Sequence, residues 1–386
     1  MTAIPAARPQ RPFFASGPCP KRPGWTPAAL QHALLGRSHR SAAGRERLKH
    51  ALKLTSEVLE IPQDYRIAIV PASDTGAVEL ALWSLIGARG VDVLAFDAFG
   101  EAWVEDIVRH LEVGRVRVLK APAGEIVDLQ SVDFDHDVVF TWNGTSTGVR
   151  VPNGDWIDAG RKGLTICDAT SAAFAQRLDW AKLDVATFSW QKALGGEAAH
   201  GMLVLGPRAI ERLTTYVPPR PLPKIFRLTE GGELIEAIFE GWTINTPSML
   251  CLEDYLDALT WARSIGGLAA LIARTEANAN ALAAWVEATA WIDFLAKDPA
   301  VRSNTSVCLE FAESAIASRA PEERRAFANK IVERLEAENI ADDIGAYRLA
   351  PPGLRIWCGP TVETRDIELL TPWLDWAYAL ARKELT

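Results

Sequence analysis

A lysine that closes an apolar run is the residue in this chain best placed for covalent chemistry. Val185-Ala186-Thr187-Phe188 reads as a buried strand, and Ser189-Trp190-Gln191-Lys192 then delivers an amine into a turn marked by Gly195-Gly196. A lysine in a cleft beyond a strand end is desolvated, which lowers its pKa and frees the amine as a nucleophile. Upstream, Leu164-Thr165-Ile166-Cys167 is a second apolar run, and it ends on Asp168. A Schiff-base lysine and an aspartate for a pyridinium nitrogen are together the minimum that pyridoxal 5'-phosphate (PLP) requires. Either residue alone would read as a surface lysine in a turn or an aspartate capping a helix. Their succession at the ends of two strand-like runs favours the cofactor.

Other polar segments supply groups that could hold anions. Gly36-Arg37-Ser38-His39-Arg40-Ser41 is either a solvated basic turn or a grip for carboxylate or phosphate oxygens, which a forked guanidinium suits. Pro71-Ala72-Ser73-Asp74-Thr75-Gly76 joins a strand to a helix, where free N–H groups and the positive end of the helix dipole suit a phosphate. Plain helix capping explains the same composition, and the Asp74 carboxylate is expected to turn away from an anion to cap. Trp103 falls in the loop expected after the second strand, where an indole could stack on a pyridine ring. With 14 tryptophans in the chain, core packing is the competing reading. Thr145 sits in the polar turn Asn143–Gly148, for which turn chemistry is the alternative.

These segments need elements to hold them. Strands are expected at Arg66–Val70, Val91–Phe96, Val116–Leu119, Val138–Phe140, Leu164–Cys167, Val185–Phe188 and Met202–Leu205. Helices are expected at Thr26–Leu35, Arg45–Leu59, Gly76–Ile86, Trp103–Leu111, Trp156–Lys162 and Pro207–Leu213. Such alternation implies a seven-stranded, mainly parallel α/β sheet covered on both faces. Ligands on such sheets bind beyond the carboxyl ends of the strands, where Asp168 and Lys192 fall. Leu250–Ile265 should be a long helix, with Gly266-Gly267 a hinge. Beyond it, helices at Leu268–Ala290, Pro321–Glu338 and Glu363–Lys383 and strands at Ser306–Glu310, Ile344–Arg348 and Leu354–Cys358 imply a small α+β unit. The division expected is an extended, proline-rich arm at 1–25 lining the cleft, a large domain at 26–265 and a small domain at 266–386.

Composition bounds the function. A chain of 386 residues with 48% hydrophobic and 23% charged content is an ordinary globular protein of more than one domain. The formal net charge of −8 argues against nucleic-acid binding, although a few arginines in a cleft can still attract an anionic substrate. The five cysteines are scattered without a Cys-x-x-Cys pair, which suits reduced thiols and no metal site. The N-terminal segment lacks the apolar core of a signal peptide, and no run of about 18 apolar residues suggests a membrane span. A cytoplasmic enzyme is expected.

Taken together, the chain resembles the fold-type I PLP enzymes and, within them, the phosphoserine aminotransferases. The resemblance rests on Ser189-Trp190-Gln191-Lys192, Ser16-Gly17-Pro18, Ser38-His39-Arg40-Ser41, Asn245-Thr246-Pro247-Ser248 and Gly353-Leu354-Arg355, and it spans nearly the whole chain. It implies reversible amino transfer between O-phospho-L-serine and 2-oxoglutarate, as in serine biosynthesis. The four-carbon homologue of pyridoxine biosynthesis remains an open second substrate. By the same resemblance Lys192 and Asp168 are catalytic, and Gln191, Trp103, Thr145, Asp74 and Thr75 bind the cofactor. Asn245 and Thr246 reach the neighbouring subunit's cofactor phosphate, which implies a homodimer with shared sites. Arg355 holds the α-carboxylate; His39, Arg40, Arg348 and Ser16 complete the substrate site. The chain departs from the family at Ser73-Asp74-Thr75-Gly76, where members carry a glycine-rich turn with an arginine. It departs again at Tyr347-Arg348, where many have a His-Arg pair. The closest rival is a serine–pyruvate or alanine–glyoxylate aminotransferase, which needs no cationic pocket for a distal phosphate. A catalytically silent scaffold of the same fold would lack the lysine.

Overall fold

A computed structural model describes residues 3–385. Its first strands are β1 (Arg66–Pro71), β2 (Val91–Ala95), β3 (Val116–Lys120) and β4 (Asp137–Thr141). A short hairpin, β5 (Asn143–Gly144) and β6 (Val149–Arg150), precedes β7 (Thr165–Asp168), β8 (Val185–Ser189) and β9 (His200–Leu205). A second hairpin, β10 (Thr229–Glu230) and β11 (Glu233–Leu234), is followed by β12 (Ile292–Phe294), β13 (Ser306–Phe311) and β14 (Leu354–Trp357). The main sheet has seven strands in the order β1-β9-β8-β7-β4-β2-β3, parallel throughout except for β9, which runs against both neighbours. Strands β2, β4 and β8 are buried at every position, as continuous apolar runs in a doubly covered sheet should be. At the edge, β3 is mostly exposed and carries Arg117 and Lys120, charges that discourage pairing with another chain.

Strand periodicity sorts the core into two. Ile67 and Ile69 of β1 join one cluster, and Ala68 and Val70 join the other. The first face packs under helices α1 (Ala42–Leu59), α5 (Met249–Ser264) and α6 (Gly267–Glu287). The second packs under α2 (Ser73–Leu85), α3 (Ala98–Glu105) and α4 (Pro207–Thr215). Helices α5 and α6 meet at 88°, with Gly266 at the break in a left-handed conformation. Past it, β12-β13-β14 form an antiparallel sheet accompanied by α7 (Ser314–Ala317), α8 (Pro321–Ala337) and α9 (Thr364–Lys383). Among the described residues no single helix is long and apolar enough to cross a membrane.

The arm before α1 joins the two sheets. Trp373 Nε1 donates to the Ala7 carbonyl at 2.8 Å, and the Gln10 amide donates to Asp366 Oδ1 at 2.6 Å. The Asp342 and Trp357 amides donate to the Pro12 and Phe14 carbonyls, both at 2.9 Å, and Phe14 is fully buried. Farther on, Arg22 forks onto Asp257 of α5 at 2.7 and 2.8 Å. An extended arm was expected; its fastening to both units was not.

Four expected elements differ. Thr26–Leu35 yields only a 3-10 turn over Pro27–Leu30 with no buried residue, so no packing sustains a helix there. Trp156–Lys162 stays in turns because Asn153 and Asp158 accept from backbone amides two residues on, at 2.9 and 2.8 Å, in competition with helix bonds. The helix expected from Trp103 begins at Ala98, where Asp97 caps it through the Phe99 and Gly100 amides, and ends in a π-helical turn at Asp106–His110. Ile344–Arg348 is a loop touching the sheet only by a bridge from Gly345 to Leu354. Pro351 and Pro352 follow without amide donors, so the strand is not extended. Sequence reading also missed β12 and the reversed direction of β9.

Candidate active site

Lys192 hangs in a turn fixed by what precedes it. Trp190 stacks on Tyr255 of α5 with ring centres 4.5 Å apart, and the Tyr255 hydroxyl pairs with Thr55 of α1 at 2.8 Å. The Gly196 amide closes the turn onto the Trp190 carbonyl at 2.9 Å. The lysine is 9% exposed, and its Nζ donates to the Ser16 carbonyl of the arm at 2.5 Å. Gly17 has φ +143°, and a Cβ there would sit 2.7 Å from Lys192 Nζ, so only glycine lets the arm pass so close. Burial holds the Lys192 pKa below the ordinary lysine value; Arg355 adds to this, while Cys19, Asp168 and Asp97 oppose it.

Asp168 ends β7, between Thr141 of β4 and Thr187 of β8 in register. It accepts from Trp103 Nε1 at 3.2 Å and from the Thr170 amide at 3.0 Å. Trp103 is thus held on the second turn of α3, not in a loop. Asp97 caps the same helix; burial pushes its carboxyl up to about 6, Asp168 adds to the rise, and the Gly100 and Phe99 amides restrain it.

These groups line one cavity of ≈ 270 Å³ beyond the carboxyl ends of the parallel strands. Lys192, Gln191, Asp168, Trp103, Thr145, Asp74 and Thr75, all expected from sequence, line it together. Sequence reading missed Asp97, Phe99, Thr141, Asn143, Thr170 and Ser171, although each lies at or shortly past the end of a parallel strand and that position alone could have found them. Asn143 Nδ2 donates to Ser171 at 2.8 Å and to Thr305 at 3.2 Å. The Ser306 hydroxyl donates to the Thr145 carbonyl at 2.9 Å and pairs with the Ser16 hydroxyl at 3.0 Å. The small sheet is thereby bonded to the cavity wall.

At the head of α2 the backbone takes positive φ at two successive non-glycine residues, Ala72 (64°) and Ser73 (54°), strain of the kind stored at binding sites. Asp74 departs from expectation. The helix starts at Ser73 and its cap makes no side-chain bond; the Asp74 carboxyl instead enters the cavity among Asp168, Thr170 and Thr187. Burial, then Asp168, raises its pKa well above the carboxylate range.

The residues fit PLP. Four cavity-lining side chains each bury a polar atom without a protein partner: Asp74 Oδ1, Thr141 Oγ1, Thr170 Oγ1 and Gln191 Oε1. Buried orphans of this kind await a polar ligand. An indole wall, an amine and a carboxylate at fixed places match a flat pyridine ring that bears an aldehyde.

The remaining expected residues lie outside the cavity. His39 is buried, with a pKa lowered by burial and by Arg40, whereas Arg40 is exposed. Asn245 donates to the Thr246 carbonyl at 3.2 Å, and Thr246 is exposed. Arg348 is exposed in its loop. Arg355 is half-buried on β14 opposite Cys308, with its guanidinium 5.7 Å from the Tyr347 ring centre and its Nε buried without an acceptor.

No family model matches the chain. Among solved structures, a phosphoserine aminotransferase from Cytophaga hutchinsonii superposes with a TM-score of 0.78 at 22% identity, covering 95% of this chain and 98% of that one. An alanine–glyoxylate aminotransferase from Nostoc sp. superposes with a TM-score of 0.77 at 19% identity, covering 98% and 97%. At such identities the likeness establishes the fold alone, the fold-type I aminotransferase architecture. Sequence relatives narrow it. The phosphoserine aminotransferases of Methanosarcina mazei and Methanosarcina barkeri are each 53% identical over 378 residues, 98% of this chain and 100% of theirs. With identity at that level along the whole length, and a buried lysine facing an indole-bonded aspartate, the chain belongs to the phosphoserine aminotransferase family.

Proposed function

We propose that this enzyme transfers an amino group reversibly between O-phospho-L-serine and 2-oxoglutarate, giving 3-phosphohydroxypyruvate and L-glutamate. The observation that carries the reading is the buried Lys192, its pKa lowered by burial, at the end of a cavity that also holds Asp168 and Trp103. PLP, the cofactor of the family, would supply when bound an electron sink for the charge developing at the substrate's Cα. The protein's own groups do the rest. With a lowered pKa, the Lys192 amine is free to act as a nucleophile and then to carry the proton at Cα. Asp168 would meet the positive ring nitrogen, and the Trp103 N–H fixes the orientation of its carboxylate. The head of α2, with Ser73 and Thr75 in the cavity, offers amides and hydroxyls to a phosphate. Thr145 and Gln191, which line the same cavity, would offer polar atoms to the cofactor.

Substrate recognition is assigned to two cationic groups. Arg355 meets the α-carboxylate, since its charge acts on Lys192 and no carboxylate of the protein pairs with it among the described residues. His39 and Arg40, with Arg348 and Ser16, meet the distal phosphate or γ-carboxylate. His39, Arg40, Asn245 and Thr246 all lie outside the cavity of their own subunit, which supports a homodimer in which each subunit completes the other's site. Leu35, Trp242 and Leu250, large apolar side chains 45–54% and 44% exposed, flank the same segments and give a partner something to cover. The three-part division at residues 25 and 265 belongs to the same proposal, supported by two separate sheets and the break at Gly266. A cytoplasmic location is supported by five unpaired cysteines.

The deciding experiment compares phosphoserine, serine and alanine as amino donors to 2-oxoglutarate. Phosphoserine should be preferred by orders of magnitude; equal turnover of alanine would favour an alanine–glyoxylate type of enzyme.

A further inference from the structure

The cavity holds more carboxyl groups than a single pyridinium requires. Asp74 is 6% exposed, its Oδ1 makes no hydrogen bond, and its carboxyl faces Asp168, Thr170 and Thr187. It is driven there by packing. Gly76 lies so close to the end of β1 that a Cβ would stand 2.2 Å from the Pro71 carbonyl, and Gly201 of β9 lies as close to the Ser73 carbonyl. The first turn of α2 is therefore pressed onto the sheet, and its second residue points at the end of β7. The hydroxyls of Thr170 and Thr187 face the Asp74 carboxyl and oppose the rise, but neither makes a well-formed hydrogen bond to it.

We propose that Asp74 and Asp168 hold one proton between them, with Asp74 as the neutral donor and Asp168 as the carboxylate that meets the cofactor's ring nitrogen. Two carboxyl groups that line one small buried cavity disfavour each other's ionisation. Of the two, Asp74 is the more deeply buried and Asp168 opens to the cavity, so the proton settles on Asp74. The arrangement serves both ends of the cofactor site. It leaves one negative charge for the ring nitrogen and removes a negative charge from the head of α2, where a phosphate would otherwise meet it. It also gives Asp168 a third donor, after the Trp103 indole and the Thr170 amide. Asp74 is thus a positioning residue that acts through Asp168.

The charged and titratable groups around the pair are few. Cys167 precedes Asp168 on β7 and feels both carboxyls. Asp97 at the head of α3 and Lys192 beyond β8 face Asp168. The inference rests on the assignment of Asp168 to the ring nitrogen, but its tests do not need substrate.

Infrared spectra of the full-length apo protein at neutral pH should show the C=O stretch of a buried, protonated carboxylic acid. Asp74→Asn should remove that band. In Asp168→Asn the band should persist at acid pH but titrate lower by about one pH unit or more, because its like-charged neighbour is gone. Stability gives a second reading of the same proton. A carboxyl whose pKa is raised in the fold stabilises it below the unfolded value, and that contribution is lost as pH rises through the folded value. Apo wild type should therefore lose stability relative to Asp74→Asn as pH rises above about 4. A wild type without the band, a band that survives Asp74→Asn, or an unchanged titration in Asp168→Asn would overturn the shared proton. Failure of wild type to transaminate phosphoserine would instead overturn the substrate reading and leave these spectra as they are.

Discussion

Replacing Arg355 by methionine should separate the cost of losing a substrate contact from the cost of disturbing the fold. The variant keeps an unbranched stem on β14 and deletes the guanidinium. In the apo protein that guanidinium has no carboxylate partner among the described residues, and its Nε is buried without an acceptor. Removing an unsatisfied buried donor relieves about 1–3 kcal/mol. Against this stands the contact with the Tyr347 ring at 5.7 Å, a cation–π interaction worth about 0.5–1 kcal/mol. The balance leaves apo stability unchanged or raised by up to about 2 kcal/mol. Catalysis should move the other way. Losing a bidentate contact with the α-carboxylate in a dry site costs about 2–5 kcal/mol, roughly 30- to several-thousand-fold in kcat/KM. Urea unfolding of the apo protein and steady-state kinetics with phosphoserine measure the two effects in one preparation. An apo variant destabilised by more than about 2 kcal/mol would make Arg355 a structural cation. A kcat/KM within about threefold of wild type would remove it from the substrate site.

Arg40→Ala should weaken phosphoserine and glutamate by a similar factor while leaving trace turnover of alanine nearly intact, because alanine has no distal anion; equal losses on all three donors would show a general organising role. In mixed dimers, a Thr246→Ala subunit should complement a Lys192→Ala subunit, since one of the two sites then keeps both native residues. Absence of recovered activity in confirmed heterodimers would place the Asn245–Thr246 loop in its own subunit's site. The lowered pKa of Lys192 gives a pH signature in the apo protein. Relative to Lys192→Met, wild type should be most stable above the unfolded lysine value of about 10.4. It should lose that advantage as pH falls towards the lowered folded value. A pH-independent difference in urea midpoints would contradict the burial argument.

What could be read from the chain tracks how local each cause is. Lys192 and Asp168 were legible because a buried strand writes a continuous apolar run, and the sheet places chemistry where that run stops. The direction of β9 was not, since a reversed strand buried on both faces has the same composition as a forward one. Trp103 was placed correctly in the cavity for an incomplete reason. Asp97 begins the helix five residues before the expected start, and that helix aims the indole at Asp168. Asp74 shows the limit most plainly. Its type and position suggest a cap, but the close approach of Gly76 and Gly201 to neighbouring backbone turns it inward, and that depends on strands distant in sequence. For His39, Arg40, Asn245 and Thr246 only resemblance suggested a place in the site, and none of them lines the cavity of Lys192.

The fastening of the arm bears on when the enzyme becomes competent. Ser16, whose carbonyl holds Lys192, is synthesised well before the lysine it meets. The strand that fixes its neighbour Phe14 carries Trp357, made long after both the arm and the lysine, and Trp373 of α9 follows later still. Contacts spanning 366 residues close only after the intervening chain has been made and folded. Throughout translation the large sheet can assemble, domain by domain, while its lysine lacks the lid that finishes the site. A chain ending before β14 would carry the lysine but not the arm's anchorage around it.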